Sequence, residues 1–312
     1  MYHPYFRGKQ YELITIRENA ARLAKANFLP IIEPVRESLG GLEKALRAVC
    51  ESGGKAIVIV NPHYGDHASG GISISELLSA SFREHPGVSA GILLKNTMSV
   101  KDVMDCFSLH KAHSPAFIHA GFTDGKDLAA ALGNKITRTM NIFIDDESSK
   151  LYRRHFKEST RVLIKDGFER RRNRDHPDVE FFSDLHITYA DDYGMDGFGD
   201  FLTVGDDYSE SGGPAYAIAI HLTYINAAAD NAMYIYHFKS KRVDTPADPA
   251  GKFAEALEKL VAAVKAPGSS IYRTEAVLEF LELNRRGHFP GLGYVKKLSM
   301  QHHIETMAKF LP

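Results

Sequence analysis

Eight short apolar runs follow one another along the chain: YFRGK, PIIEP, AIVIVNP, GILLKN, PAFIHAG, NIFIDD, RVLIKD and FLTVGDD. Most end on a charged or amide residue just past the last apolar position, and most are separated by enough sequence for one helix. Apolar runs of strand length without alternation belong to strands buried on both faces, as in a parallel sheet covered by helices. A (β/α)8 barrel is built this way, and it gathers polar residues at the C-terminal ends of its strands, where such enzymes keep their active sites. The expected fold is therefore an α/β TIM-like barrel, with a long loop after strand 7, a β-hairpin and C-terminal helices.

The strands are expected at residues 2–8, 28–35, 55–60, 90–94, 116–118, 140–144, 161–164 and 201–204. Helical periodicity in QYELITIRENAARLAKA places Leu13, Ile16, Ala20 and Leu23 on one face. Ser73 with Glu76 predicts a capping box, and Ser99 and Asp124 are expected to cap later helices. The rhythm breaks after Lys165. The long interval that follows holds the basic run ERRRNRDH, a candidate helix from Pro177 and the stretch ADDYGMDGFGD. YAIAIHLTYI and MYIYHF, separated by NAAADNA, have the pattern of a hairpin. Either FLTVGDD or AIAIHLTYI could close the barrel. The proline-containing segment Asp244 to Gly251 is the expected boundary between a barrel domain (1–243) and a helical extension packed on it (251–312).

A chain of 312 residues accommodates a barrel of roughly 250 residues and an appendage. A formal net charge of −1 gives no whole-molecule field to draw in nucleic acid or an anionic membrane. Cys50 and Cys106 fall in expected helices, a pattern of buried thiols rather than a disulfide framework. The opening MYHPYFRGKQ lacks an apolar core, and no run is long enough to span a bilayer. The expectation is a soluble, cytoplasmic protein with no membrane partner.

The strand ends define a ring of candidates. Glu33, Asp145, Asp146 and Asp206 would repel one another unless a cation bound or one stayed protonated, so Glu33, Asp145 and Asp206 are the candidate ligands of a divalent metal such as magnesium. The competing explanation is that Asp145 and Asp146 cap the next helix. Arg7, Lys9, Lys95 and Lys165, with Asn61, suit a phosphate or carboxylate of a small anionic substrate. They could equally pair with the acids in a structural network. His119 is the candidate general acid or base, with Glu33 and Asp145 as its catalytic partners, or else a hydrogen-bonded filler. His221 shares a strand face with Ala219 and Thr223 and points either to the barrel mouth or into the hairpin core. The glycine-dense segments around Asp200 and Gly212 are anion-binding loops or tight turns. His302, His303 and Glu305 lack the spacing of a zinc helix and are expected on a solvated face. The arginine run, with Phe181, Phe182, Tyr189 and Tyr193 nearby, either holds phosphates and bases or is a solvated loop.

The opening YFRGKQYEL with PIIEPV, and the later block GFGDFLTVG…GGPAYAIAIHLTY, together resemble the phage "beta protein" family and its relatives in bacterial genomic islands. The resemblance implies that Arg7, Gly8, Lys9, Glu12, Glu33 and Asp200 lie in family motifs, and it implies a setting of mobile elements or phage conflict. It supplies no reaction. Two functions remain open. One is a hydrolase or transferase acting on a phosphorylated substrate at the barrel mouth. The other is a binding component of a phage or defence module that recognises nucleic acid or a protein partner through the arginine loop and the hairpin.

Overall fold

The computed structural model describes residues 1–210, 213 and 215–311. The chain divides into two compact units, Met1–Lys165 with Thr188–Asp200, and Asp166–Ile187 with Phe201–Pro312. The expected boundary at 244–251 falls inside the second unit. The glycine-dense segment around Gly212 lies partly outside the described residues.

The first unit is a TIM-like barrel. Its parallel strands are β1 (Tyr5–Phe6), β2 (Ile31–Ile32), β3 (Ala56–Ile59), β4 (Val88–Lys95), β5 (Ala116–Ala120), β6 (Met140–Ile144), β7 (Thr160–Ile164) and β9 (Gly197–Gly199), while β8 (Val179–Ser183) belongs to the second unit. They pair in chain order, and a bridge from Tyr2 to Phe198 brings the last strand back to the first. Seven helices alternate with them: α1 (Gln10–Glu18), α2 (Ala20–Lys25), α3 (Gly40–Glu51), α4 (Ile72–Ser81), α5 (Val100–Leu109), α6 (Gly125–Leu132) and α7 (Lys150–Arg153). The central strand residues are almost wholly buried, as strands covered on both faces require.

Seven strands lie where the apolar runs are. The eighth does not. FLTVGDD forms a turn in which Leu202 takes φ 53°, and AIAIHLTYI joins another sheet. The closing strand is instead GFG. Its glycines are required by close approach: a Cβ at Gly199 would stand 2.0 Å from the carbonyl oxygen of His3, and one at Gly197 would stand 2.9 Å from that of Met1. The first expected helix is split at Asn19, whose amide donates to the Thr15 carbonyl (2.9 Å). Ser99 and Asp102 form a capping box, but Ser73 does not cap. The N-cap of its helix is Gly71, two residues earlier, where a Cβ would collide with the Val60 carbonyl at 1.6 Å. Asp124 occupies the N-cap position of α6 without a side-chain cap bond.

The second unit holds a three-stranded antiparallel sheet ordered β10 (Ala219–Asn226), β11 (Ala232–Lys239), β8. The segment from Pro177, a candidate helix, is the edge strand β8, and VEFFS has the aromatic and β-branched content that favours it. The hairpin turn is helped by Asp230 and Asn231, both at positive φ. The helices are α8 (Leu185–Thr188), which leads back to the barrel unit along the chain, α9 (Pro249–Lys265), α10 (Glu275–Arg286) and α11 (Leu292–Phe310). Ile220, Leu222 and Phe238 of the sheet pack with Phe253, Leu257, Val277, Phe280 and Leu298 into one core. His302, His303 and Glu305 are buried, not solvated. His302 bridges Thr274 Oγ1 (2.8 Å) and the Thr223 carbonyl (2.8 Å), and His303 meets Thr223 Oγ1 (3.0 Å). Among the described residues, no helix is long and apolar enough to cross a membrane.

Candidate functional site

At the barrel mouth, side-chain alternation and strand register turn Arg7, Glu33, Asn61 and Lys95 to the lumen side. Four of the expected ring residues are thus brought to one side; Arg7 and Glu33 pair with each other, and Asn61 and Lys95 are taken up by backbone groups. Glu33 is fully buried. Its Oε2 accepts from Tyr5 Oη (2.9 Å) and from the Arg7 guanidinium, while Oε1 accepts from the backbone N–H groups of His63 (2.7 Å) and Tyr64 (3.3 Å). Arg7 is held over the rings of Tyr64 and Tyr5, at 4.7 and 5.1 Å. The Asn61 side chain exchanges two 2.8 Å hydrogen bonds with the backbone of Leu93. Lys95 donates to the Pro62 carbonyl (2.8 Å), and partial burial lowers its pKa against the pull of Glu33.

The other candidates do not join this group. His119 is on the opposite strand face, paired in register with Phe143. It stacks on that ring (centroids 4.5 Å apart) and contacts Phe156. Both ring nitrogens are taken, Nδ1 by Tyr152 Oη (2.7 Å) and Nε2 by Asn141 Oδ1 (2.9 Å). Burial pushes its pKa down to about 3. It is a hydrogen-bonded filler beneath the helices and not an acid–base group at the mouth. Asp145 is ion-paired with the buried Arg153, which also donates to the Asp145 carbonyl. Neither Asp145 nor Asp146 caps α7, where Ser149 does so. Asp200 accepts from Tyr2 Oη (2.7 Å). Lys9 precedes α1 as its N-cap residue, and Lys165 is half-buried at the end of β7. Asp206 lies in the second unit, where its N–H donates to Asp166 Oδ2 (2.7 Å). The carboxylates expected to share a metal are therefore divided between a saturated Glu33, a paired Asp145 and a residue of the other unit.

The second unit has a different arrangement. Cross-strand register places His221 of β10 directly opposite His237 of β11. Their Nδ1 atoms are 2.7 Å apart. His176, just before β8, stacks on His237 with centroids 4.3 Å apart. One ligand atom from each of the three rings lies within 4.8 Å of the others. Glu180 of β8 accepts from His237 Nε2 (2.8 Å) and is held by Arg171 through both oxygens (2.7 and 2.6 Å). Phe168 packs against all three imidazoles.

Burial holds His221 well below the ordinary imidazole range, with His237 and His176 adding to it. Burial likewise lowers His237 to about 4, with His176 next in effect and Glu180 opposing. His176 is also lowered, by burial first. Three neutral rings face one another, each with a lone pair to offer. Burial works against the Glu180 carboxylate, but Arg171 and His237 keep its pKa below the usual value.

Two of these rings, His176 and His221, border a cavity of about 840 Å³, lined also by Arg171, Arg172, Arg174 and Lys296, with Phe168 and Tyr216 as aromatic walls. Its wall at 215–217 is tied down from two sides. The buried Lys252 ammonium donates to the carbonyls of Ala215 (3.2 Å), Tyr216 (2.8 Å) and Thr245, and Asn173 donates to that of Ala217 (2.9 Å). Among the described residues, Arg172 and Lys296 form no ion pair with an acidic side chain. Arg170 pairs outward with Asp207 (2.7 Å) and Arg174 with Asp175 (3.5 Å).

Of this site, the sequence pointed to His221 and to the arginine run. His176, His237, Glu180 and Lys296 were not anticipated. One signal was available: His221 and His237 stand at equal distances from the centre of the NAAADNA turn, so a symmetric hairpin register pairs them. Comparisons with protein-family models, with curated proteins and with solved structures found no match.

Proposed function

We propose that the chain binds and acts on a small phosphate-bearing molecule, as a hydrolase or transferase, in the cavity of the second unit and not at the barrel mouth. The observation that carries this is the cavity of about 840 Å³ with Arg172, Arg174 and Lys296 on its lining. Guanidinium groups recognise phosphate oxygens in a fixed fork geometry, and a lysine adds a point charge. Tyr216, 48% exposed, offers a ring on which a base or sugar could stack. The resemblance to the phage beta protein family adds no reaction to this.

Thermal unfolding against inorganic phosphate, nucleotides and sugar phosphates tests the proposal, because a ligand of the folded state alone raises the midpoint. At least one phosphate compound should raise it, and the rise should vanish in Arg172→Glu/Lys296→Glu. No rise with any of them would sink the proposal. A second function has its own support. The sheet face opposite the histidines carries Phe181, Tyr224, Tyr234 and Tyr236 as a chain of ring contacts, with Phe181 48% exposed. Tyr224 is buried and Tyr236 packs against the helical core, so Phe181, with Tyr234 beside it, is the end of the ladder on which a base of single-stranded nucleic acid could stack. Binding of a labelled single strand with a steep salt dependence, lost in Phe181→Ala, would favour it.

A further inference from the structure

We infer that His176, His221 and His237 form a binding site for one divalent transition-metal ion, with Glu180 as the carboxylate that orients His237. Four observations converge on it. The three imidazoles come from separate elements, the β10 and β11 strands and the segment before β8, and their ligand atoms lie within 4.8 Å of one another. The hydrogen bonds set the tautomer of His237: Glu180 is an acceptor, so Nε2 carries the proton and Nδ1 presents its lone pair toward His221. A metal-bound histidine with its far nitrogen donating to a carboxylate is the usual outer-shell arrangement of such centres. Glu180 is fixed in turn by Arg171 through both oxygens, so it supports the ring from behind and is not itself a ligand. Finally, His176 and His221 line the cavity.

The donor set decides the class of ion. Three neutral imidazole nitrogens favour zinc, copper, nickel, cobalt or iron over magnesium and calcium, which take oxygen ligands. Three protein ligands with a position left for solvent or substrate is the ligand count of reactive zinc sites, where closed structural sites use four. One tautomer change and two movements complete the geometry. His221 Nδ1, the donor in its contact with His237 Nδ1, must give up its proton, the ring then carrying it at Nε2. The two Nδ1 atoms, now 2.7 Å apart, must part to about 3.3 Å, the tetrahedral edge for metal–nitrogen bonds near 2.0 Å. His176 must tilt from its stacked position on His237. Both movements are side-chain adjustments, and His176 lies outside the sheet ladder in the segment before β8.

The site stands on the imidazole geometry and not on the phosphate proposal, so the two fail separately. The test uses the full chain and the metal alone. Purified protein is stripped with chelator, exposed to zinc or cobalt chloride, dialysed in phosphate-free buffer and assayed for bound metal. One equivalent per chain is expected, with visible ligand-field absorption for cobalt and a raised unfolding midpoint that magnesium does not reproduce. His221→Ala should retain less than one tenth of the wild-type metal, and Arg172→Glu should retain all of it. Should His221→Ala fail to fold, His176→Gln is judged by the same stoichiometry. Retention unchanged in the folded histidine variant would assign the metal to other histidines of the chain and overturn the site, as would the absence of retained metal in the wild type.

Discussion

The barrel mouth and the second unit's cavity use the same residue types to opposite ends. At the mouth, Glu33 accepts four donors, Arg7 lies between that carboxylate and two tyrosine rings, and Asn61 is spent on a strand backbone. In the second unit, Glu180 and Arg171 satisfy each other behind a set of neutral imidazoles, while Arg172 and Lys296 face a cavity without an acidic partner among the described residues. Charge at a strand end is therefore not evidence of a reactive site by itself. What separates the two regions is whether hydrogen-bonding capacity is used up within the protein or left for a ligand.

If the barrel's polar groups serve the fold, disturbing them should unfold it. The largest effect is expected from acid. His3 and His119 are buried, and both have pKa values pushed down to about 3 from 6.5, in each case chiefly by burial. The unfolded chain therefore takes up their protons first. The stability they contribute is full above pH 6.5 and is lost progressively as the pH falls toward about 3. By two pH units below the ordinary imidazole value, the two together should remove on the order of 5 kcal/mol. Denaturant titrations from pH 7 to pH 4.5 check this, and His119→Gln should remove about half of the slope. A flat profile would mean that these histidines are not held neutral.

Next in size is Glu33→Ala, which leaves the Arg7 guanidinium and two backbone N–H groups without their acceptor. Breaking a buried pair from one side costs about 3–5 kcal/mol. Urea unfolding should show this loss. Unchanged stability combined with loss of phosphate binding would break the comparison and return the site to the mouth. His119→Leu should cost about 2–3 kcal/mol, since it leaves Asn141 and Tyr152 each with an unmet bond, without altering any ligand response.

Legibility in the sequence followed side-chain hydrophobicity. The first seven barrel strands could be read because each carries a short apolar run that is buried in the barrel. The eighth could not, because GFG is selected by the space between backbones, which leaves no room for a Cβ and hence no hydrophobic signature. The hairpin was legible from its two aromatic runs, but β8 was not, since a five-residue edge strand after a proline resembles a helix start as closely. His302 and His303 looked solvated because helix α11 is buried around most of its circumference, so it lacks the one-sided pattern that marks a core face. The three-histidine group was hidden for a different reason. Its members are 45 and 16 residues apart; strand register pairs His221 with His237, and His176 joins them from the segment before β8.

The smallest stability effect should accompany the sharpest functional one. Arg172 and Lys296 are exposed, and neither has an acidic partner among the described residues. Reversing their charge should move the stability by no more than about 0.5 kcal/mol, as for surface substitutions away from buried networks. The same double change, Arg172→Glu/Lys296→Glu, places two negative charges where a phosphate would dock, and should abolish the ligand-induced rise in unfolding midpoint. Glu33→Ala predicts the reverse pattern, a large loss of stability with the ligand-induced shift retained at temperatures where the variant is folded. The two variants together separate the regions. A residue that holds the fold together should show its effect without ligand, and a residue kept for a ligand should show it only when the ligand is added.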